Sequence, residues 1–223
     1  MVKIAHVADP EWDRLGKFSL TVAKNRGLEA KRFHSAATAL TWLLKKQSTP
    51  SSRSVLHTGK FLTLHTDDGW EYVDRIKAAG AAVIIGVTSE QKLLLVEQYR
   101  IPVHALTIEL PAGLIGDEPQ CAGESSLAAA RRELLEETGY SAERLEMLTT
   151  GPSCSGITSE RVTFFRAFDL HRTGNGGGVA NEDITVHEIP LVGVEKWLEA
   201  KASAGVLIDP KIYAGLFFLA QSR

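Results

Sequence analysis

Glu133, Glu136 and Glu137 crowd one end of a helix-forming stretch, within Arg132-Glu133-Leu134-Leu135-Glu136-Glu137-Thr138-Gly139-Tyr140. Residues three and four apart share a helical face, so Glu133 stands beside both of the other carboxylates. Like charges placed this way destabilise an isolated helix, and the pattern calls for a compensating cation. A cluster of hard oxygen ligands suits Mg²⁺ or Mn²⁺, which take one or two carboxylates and complete their shell with phosphate oxygens. The bland alternative is a solvated acidic helix face, the usual meaning of a charge run.

The longer segment separates these readings. Glu109-Leu110-Pro111-Ala112-Gly113-Leu114, then Gly123-Glu124, then Arg132-Glu133 and Glu136-Glu137-x-Gly139-Tyr140, resembles the Nudix box. That family's pattern is Gly, five residues, Glu, seven residues, Arg-Glu-apolar-x-Glu-Glu-x-Gly-apolar. From Glu124 onward every position matches. Upstream, ten residues instead of five separate Gly113 from Glu124, which reads as a five-residue insertion within Gly116–Gly123, in the loop before the helix.

The elements that must position these groups are visible along the chain. Ser125–Glu137 predicts the helix, ended by Gly139. Ser54–Thr66 and Trp70–Lys77 read as strands around Asp67-Asp68-Gly69, and Gly80–Val87 with Lys92–Tyr99 as a hairpin. Thr107–Leu110, Arg161–Asp169 and Ile184–Leu191 read as further strands, Val194–Ala202 and Lys211–Ala220 as helices. Before them, Val2–Val7 and Leu28–His34 are strand-like, and Glu11–Asn25 and Ala36–Lys46 helix-like, the last capped by Ser35. Gln47–Arg53, with Pro50 and several Ser/Thr, reads as a linker. These patterns predict an α+β chain with a small βαβα-like N-terminal appendage over residues 1–50 and a main domain over 51–223. The resemblance implies a Nudix fold for the main domain, a mixed β-sheet sandwiched between helices.

Composition narrows the function classes. With 223 residues, 44% hydrophobic and a net charge of −2, the chain can bury a sizeable core and carries no basic footprint for nucleic acid. Two cysteines, Cys121 and Cys154, make no disulfide framework. No leader-like apolar segment and no run near ~18 apolar residues is present, so a cytoplasmic protein without membrane contact is expected.

Outside the box the chain resembles the ADP-ribose/ADP-sugar pyrophosphatase branch, through Glu97-Gln98-Tyr99-Arg100, Gly151-Pro152-Ser153-Cys154-Ser155-Gly156-Ile157-Thr158-Ser159-Glu160, Asn181-Glu182-Asp183-Ile184 and Asp209-Pro210-Lys211. The resemblance implies metal-dependent hydrolysis of ADP-ribose to AMP and ribose 5-phosphate. Glu133 and Glu137 would be the main Mg²⁺ or Mn²⁺ ligands, joined by the backbone carbonyl of Ala112 and by Glu124, with Glu136 in support. Arg132 would hold the box carboxylates, and Arg100 would grip the diphosphate with its planar fork of donors. Glu182, in a Gly-rich loop over Thr173–Asp183 whose glycines read as a source of mobility, would be a metal ligand or the general base, with Glu160 as the other candidate base. A homodimer is implied, in which Trp70 or Tyr72 would stack on adenine.

Simpler fates compete for single residues. Arg100 fits a surface ion pair, Trp70 a packed strand position, and Glu182 an exposed loop acid. His104, His171 and His187 lack metal-ligand spacing, and Cys154 has no neighbouring His and acid to activate it. Hydrolysis of UDP- or GDP-sugars, NADH or dinucleoside polyphosphates stays open within the enzyme class. A catalytically silent nucleotide-binding module stays open outside it, although all four box glutamates are present, as does a partner-docking role for residues 1–50.

Overall fold

The computed structural model describes residues 3–7, 20–26, 28–44, 53–179 and 182–221. By contacts within the chain it divides into one unit over residues 1–52 and another over 53–223.

In the first unit β1 (Lys3–Val7) and β2 (Glu29–Phe33) pair in parallel, in register from Lys3 with Glu29 to Val7 with Phe33. Parallel strands need a crossover connection, and a helical stretch over residues 20–25 (α1) lies within it. The first part of one expected helix, residues 11–19, the last two residues of the next, 45–46, and residues 47–52 of the expected linker lie outside the described residues. Ser35 caps α2 (Ala36–Leu44) by accepting from the Thr38 N–H at 3.3 Å. Trp42 packs on Phe33, ring centroids 5.3 Å apart.

The second unit opens with the antiparallel strands β3 (Ser54–Thr58), β4 (Leu62–Asp67) and β5 (Trp70–Arg75). The segment read as one strand, Ser54–Thr66, is thus two, reversing where Gly59 N–H bonds Leu62 O (2.8 Å). The next reversal is the expected one: Asp68 and Gly69 both take positive φ, 49° and 80°, the conformation a two-residue hairpin turn needs.

Two four-stranded sheets carry the rest. One has the order β10 (Tyr140–Pro152), β11 (Arg161–Arg172), β6 (Ala81–Gly86), β9 (Ala112–Leu114), and mixes parallel with antiparallel pairs. The other has the order β12 (Thr185–Pro190), β7 (Lys92–Arg100), β8 (Ala105–Glu109), β13 (Leu207–Ile208). The expected β6–β7 hairpin therefore survives only at its turn, as the single bridge Val87–Leu93, before the strands part into different sheets. The reason lies in their composition. Val83-Ile84-Ile85 and Leu93-Leu94-Leu95 are continuous apolar runs, buried throughout, and such runs belong to strands covered on both faces. Ile84 and Leu94 join Leu134 and Phe165 in a core under the helix α3 (Ser126–Thr138). Val83, Ile85, Leu93 and Leu95 join Leu198 and Ile212, from α4 (Val194–Ser203) and α5 (Lys211–Gln221), in a second core. The α+β architecture with strands between helices is as expected, resolved into two sheets instead of one. Among the described residues no helix is long and apolar enough to cross a membrane.

Candidate active site

Helix α3 owes its ends to local chemistry. Ser125 Oγ accepts from the Ala128 N–H (3.2 Å) at the start, and Gly139, at φ 75°, closes the last turn with its N–H on Leu135 O. The Gly-rich loop docks on this same end. Thr173 and Gly174 N–H bond Gly139 O, Gly177 N–H bonds Glu137 O (2.8 Å) and Gly178 N–H bonds Glu136 O (3.0 Å). These donors satisfy carbonyls a helix terminus leaves unpaired. A Cβ on Gly176 would meet Thr138 C at 2.5 Å, so the glycines serve close backbone approach, and the expected mobility is not their evident use.

Arg132 organises the carboxylates of α3. Its Nη1 donates to Glu133 Oε1 (2.7 Å) and Glu136 Oε2 (3.0 Å), and its Nη2 to Glu124 Oε1 (2.9 Å) and Leu114 O (3.1 Å). Glu124 also accepts the Gly116 N–H (3.0 Å). Burial works against the Glu124 charge, but these hydrogen bonds hold its carboxyl below the usual range. One guanidinium cannot neutralise three carboxylates, and Glu133 is left short. Burial lifts its pKa to about 7, with Arg132 opposing and Glu136 and Glu182 adding to the rise. Glu137, only 4% exposed, is lifted by burial to about 8, opposed by an N–H from Ala112 and reinforced by Glu133 and Glu182. That Ala112 N–H reaches Glu137 Oε2 at 2.9 Å.

Glu133 and Glu137, but not Arg132 or Glu124, open on a cavity of about 400 Å³ that Glu182, Ala112, Arg100 and Glu160 also line. Glu182, from the docked loop, is exposed and accepts the Val179 N–H at 3.0 Å; Ala180 and Asn181 beside it lie outside the described residues. Arg100 donates from Nε and Nη2 to the two oxygens of Glu109, each at 2.6 Å, while the Glu109 side chain is 8% exposed. Arg100 is thus the ion pair of the simpler reading and also a wall of the cavity. Glu160 is held by Arg75 Nε. Glu136 faces Arg132 and does not border the cavity.

Trp70 and Tyr72 do not join this group. Trp70, at the start of β5, is 65% exposed, and Tyr72 stacks on His65 with ring centroids 5.4 Å apart. Neither borders the cavity. Glu109, Arg75, Gln98 and Lys211 border it without having been singled out. Lys211 was at least visible within Asp209-Pro210-Lys211, and in the fold Asp209 accepts its N–H at 2.8 Å and its Nζ at 2.5 Å. Among the described residues no histidine borders the cavity: His187 Nε2 pairs with Glu97 (2.8 Å), and His171 pairs with Glu143 on the surface.

The chemistry available is that of carboxyls with raised pKa values beside fixed guanidinium donors. Among the described residues no three ligand groups already enclose a metal position. Glu133 Oε1 is held by Arg132 and Glu137 Oε2 by the Ala112 N–H, while both side chains line the cavity.

Comparison with known proteins places the chain in a family. The NUDIX domain family profile matches residues 77–205. The chain is 37% identical over 97 residues to an ADP-ribose pyrophosphatase of Bacillus subtilis, covering 43% of this chain and 49% of that protein. It is 35% identical over 116 residues to a methanol dehydrogenase activator of Bacillus methanolicus, covering 52% and 60%. It is 32% identical over 153 residues to a GDP-mannose pyrophosphatase of Salmonella arizonae, covering 65% and 74%. The chain thus spans between 49% and 60% of the length of the first two of these relatives. Among solved structures, that of an ADP compounds hydrolase superposes with a TM-score of 0.55 at 22% identity, over 76% of this chain and 92% of that one, a likeness of fold.

Proposed function

Because the chain belongs to the NUDIX domain family, we propose that it hydrolyses the diphosphate bond of a nucleoside diphosphate sugar, ADP-ribose first, with Mg²⁺ or Mn²⁺ as cofactor. The observation that carries the reading is the convergence of Glu133, Glu137 and Glu182 on one cavity with Arg100 in its wall.

The residues fit a divalent metal. Two carboxyls, half-buried Glu133 and buried Glu137, keep pKa values of about 7 and about 8. Arg132 is shared among three carboxylates and so supplies only part of the charge needed. The oxygens of Glu133 and Glu137 are the hard ligands Mg²⁺ takes. Glu133 and Glu137 would hold it, with Glu124 and the Ala112 carbonyl as the further ligands the resemblance implies. A bound divalent ion neutralises phosphate charge and lowers the pKa of attacking water. Arg132 orients the box carboxylates through its hydrogen bonds to Glu124, Glu133 and Glu136. Arg100, pre-set by Glu109, offers the diphosphate a fixed donor fork at low ordering cost. Glu182 borders the cavity with no cation held against it in the described residues, whereas Glu160 is held by Arg75. Glu182 is therefore the stronger choice for taking the proton from water. Trp70, exposed and away from the cavity, would reach adenine only in a homodimer.

GDP-mannose is the second reading, favoured by the broader match to the GDP-mannose pyrophosphatase, 65% of the chain against 43% for the ADP-ribose enzyme. Product analysis with ADP-ribose, GDP-mannose, UDP-glucose, NADH and diadenosine polyphosphates, with and without Mg²⁺, tests both. Metal-dependent AMP release led by ADP-ribose is expected. Preference for GDP-mannose would move the substrate assignment, and binding without turnover of any of them would replace the enzyme by a binding module.

A further inference from the structure

The loop that departs from the Nudix spacing carries Asp117, half-buried and, among the described residues, without a hydrogen-bond or ion-pair partner. Asp117 borders two cavities at once. One is the cavity of about 400 Å³ that holds Glu133 and Glu137; the other, of about 140 Å³, is lined by Phe61, Ile76 and Lys77. Arg75 and Leu114 also border both, so Asp117 stands at the neck between them.

Its backbone is held in place. Ile115 is buried and its N–H bonds Gly80 O at 2.9 Å. Gly116 follows at φ 72°, its N–H on Glu124 Oε1 at 3.0 Å, the same oxygen that Arg132 Nη2 reaches at 2.9 Å. Beyond Asp117 the loop closes through Cys121 N–H on Glu118 O and Glu124 N–H on Cys121 O, both 3.0 Å. The insertion is therefore tied to the hydrogen-bond network of Arg132 and presents one unpartnered carboxylate to the neck.

An ionised carboxylate only accepts hydrogen bonds. Beside a diphosphate it repels unless the group it touches is a donor. In a nucleoside diphosphate sugar the donors flanking the diphosphate are sugar hydroxyls, and the two oxygens of a carboxylate suit a vicinal pair of them, as in other nucleotide sites where an acid holds a ribose. We propose that Asp117 is a specificity residue that accepts hydrogen bonds from a vicinal diol of a substrate sugar at the neck between the two cavities. This rests on the nucleoside diphosphate sugar reading above.

The test is calorimetric binding, with Mg²⁺, of methylene-bridged ADP-ribose that cannot be hydrolysed, and of its two analogues lacking the 2-hydroxyl on the adenosine ribose or on the terminal ribose. Wild type, Asp117→Asn and Asp117→Ala are compared, with thermal melts confirming that each is folded. Both variants are expected to bind the parent ligand about tenfold more weakly. One deoxy analogue is expected to bind wild type as weakly and to lose nothing more on substitution, which identifies the ribose concerned. Unchanged or tighter binding of the parent ligand, or an equal loss for all three ligands, overturns the proposal while leaving the substrate class intact. Failure of wild type to bind any of the three overturns the substrate class and this inference together.

Discussion

Gly113 lies against Glu133 so closely that a Cβ on the glycine would sit 1.8 Å from the Glu133 carboxyl carbon. The strand β9 and the helix α3 are thereby brought together at the point where the carboxylate enters the cavity. Gly113→Ala must displace the Glu133 side chain, because the backbone there is paired with β6 through Ala82. The expected result is a folded protein whose turnover falls on the order of a hundredfold, the usual cost of misplacing a reacting group by about an ångström. Kinetics with thermal melts check it, and near-normal turnover would remove Glu133 from the chemistry.

Glu137 links stability to pH and to metal. In the metal-free protein its carboxyl stays protonated to about 8 and that of Glu133 to about 7, whereas in the unfolded chain both ionise near the ordinary value of 4.5. Between those limits the native state holds more protons than the unfolded state, so stability falls as pH rises. Melts of chelator-treated protein should therefore show a falling Tm from about pH 5 to about pH 8.5, and Mg²⁺ should flatten the slope. Glu137→Gln should reduce this pH dependence and abolish most turnover, because a neutral amide replaces an anionic ligand. A Tm that is level or rises over that range would contradict the buried-acid reading.

Helix α3 was legible because its signals are local: Ser125 before it, Gly139 after it, and carboxylates at helical spacing between. The composition of β6 and β7 also held their fate, since runs with no polar alternation belong to strands covered on both faces, although the short turn between them suggested a simple hairpin. β10 escaped because Ser141, Glu143, Arg144 and Glu146 mark its sequence as polar, while its pairing with β11 is tertiary. The pairings of Arg100 with Glu109 and Arg75 with Glu160 join residues nine and 85 positions apart. No spacing rule announces contacts like the second. The glycine loop was visible as glycine-rich, but its docking on the helix end depends on carbonyls that only the folded helix presents.

That docking gives a stability prediction with its own control. Gly176 sits at φ 70° with backbone of Thr138 and Glu137 within 2.8 Å of an added Cβ. Gly156 has open space around its Cβ position. Gly176→Ala is expected to cost roughly 1–3 kcal/mol in urea unfolding, and Gly156→Ala to lie within about 0.5 kcal/mol of wild type. Equal effects would mean that the loop is not held against the helix in solution.

Trp70 offers the reverse case. At 65% exposure its truncation should leave Tm unchanged. If a second copy of the chain carries it to the adenine, Trp70→Ala raises KM for ADP-ribose more than it lowers kcat, since stacking is made in ground and transition states alike. An unchanged KM with an adenine substrate would remove Trp70 from binding.

Arg100→Lys separates charge from geometry. Glu109 accepts from two nitrogens of Arg100 at 2.6 Å each, and that fork fixes the plane of a guanidinium that lines the cavity. Lysine keeps the charge but has neither the plane nor the paired donors. Its ammonium can satisfy Glu109 or reach toward the diphosphate, and it loses the defined orientation in either case. KM for nucleoside diphosphate sugars should rise about tenfold or more, with a smaller change in kcat. Glu109→Gln should produce a rise in the same direction, because it weakens the paired hydrogen bonds that hold Arg100 in its plane. If Arg100→Lys raised KM and Glu109→Gln did not, Arg100 would bind through its own guanidinium donors and its pairing with Glu109 would be structural. If neither changed KM, the diphosphate would be held by other cations of the cavity, Arg75 and Lys211 being the ones placed to do so.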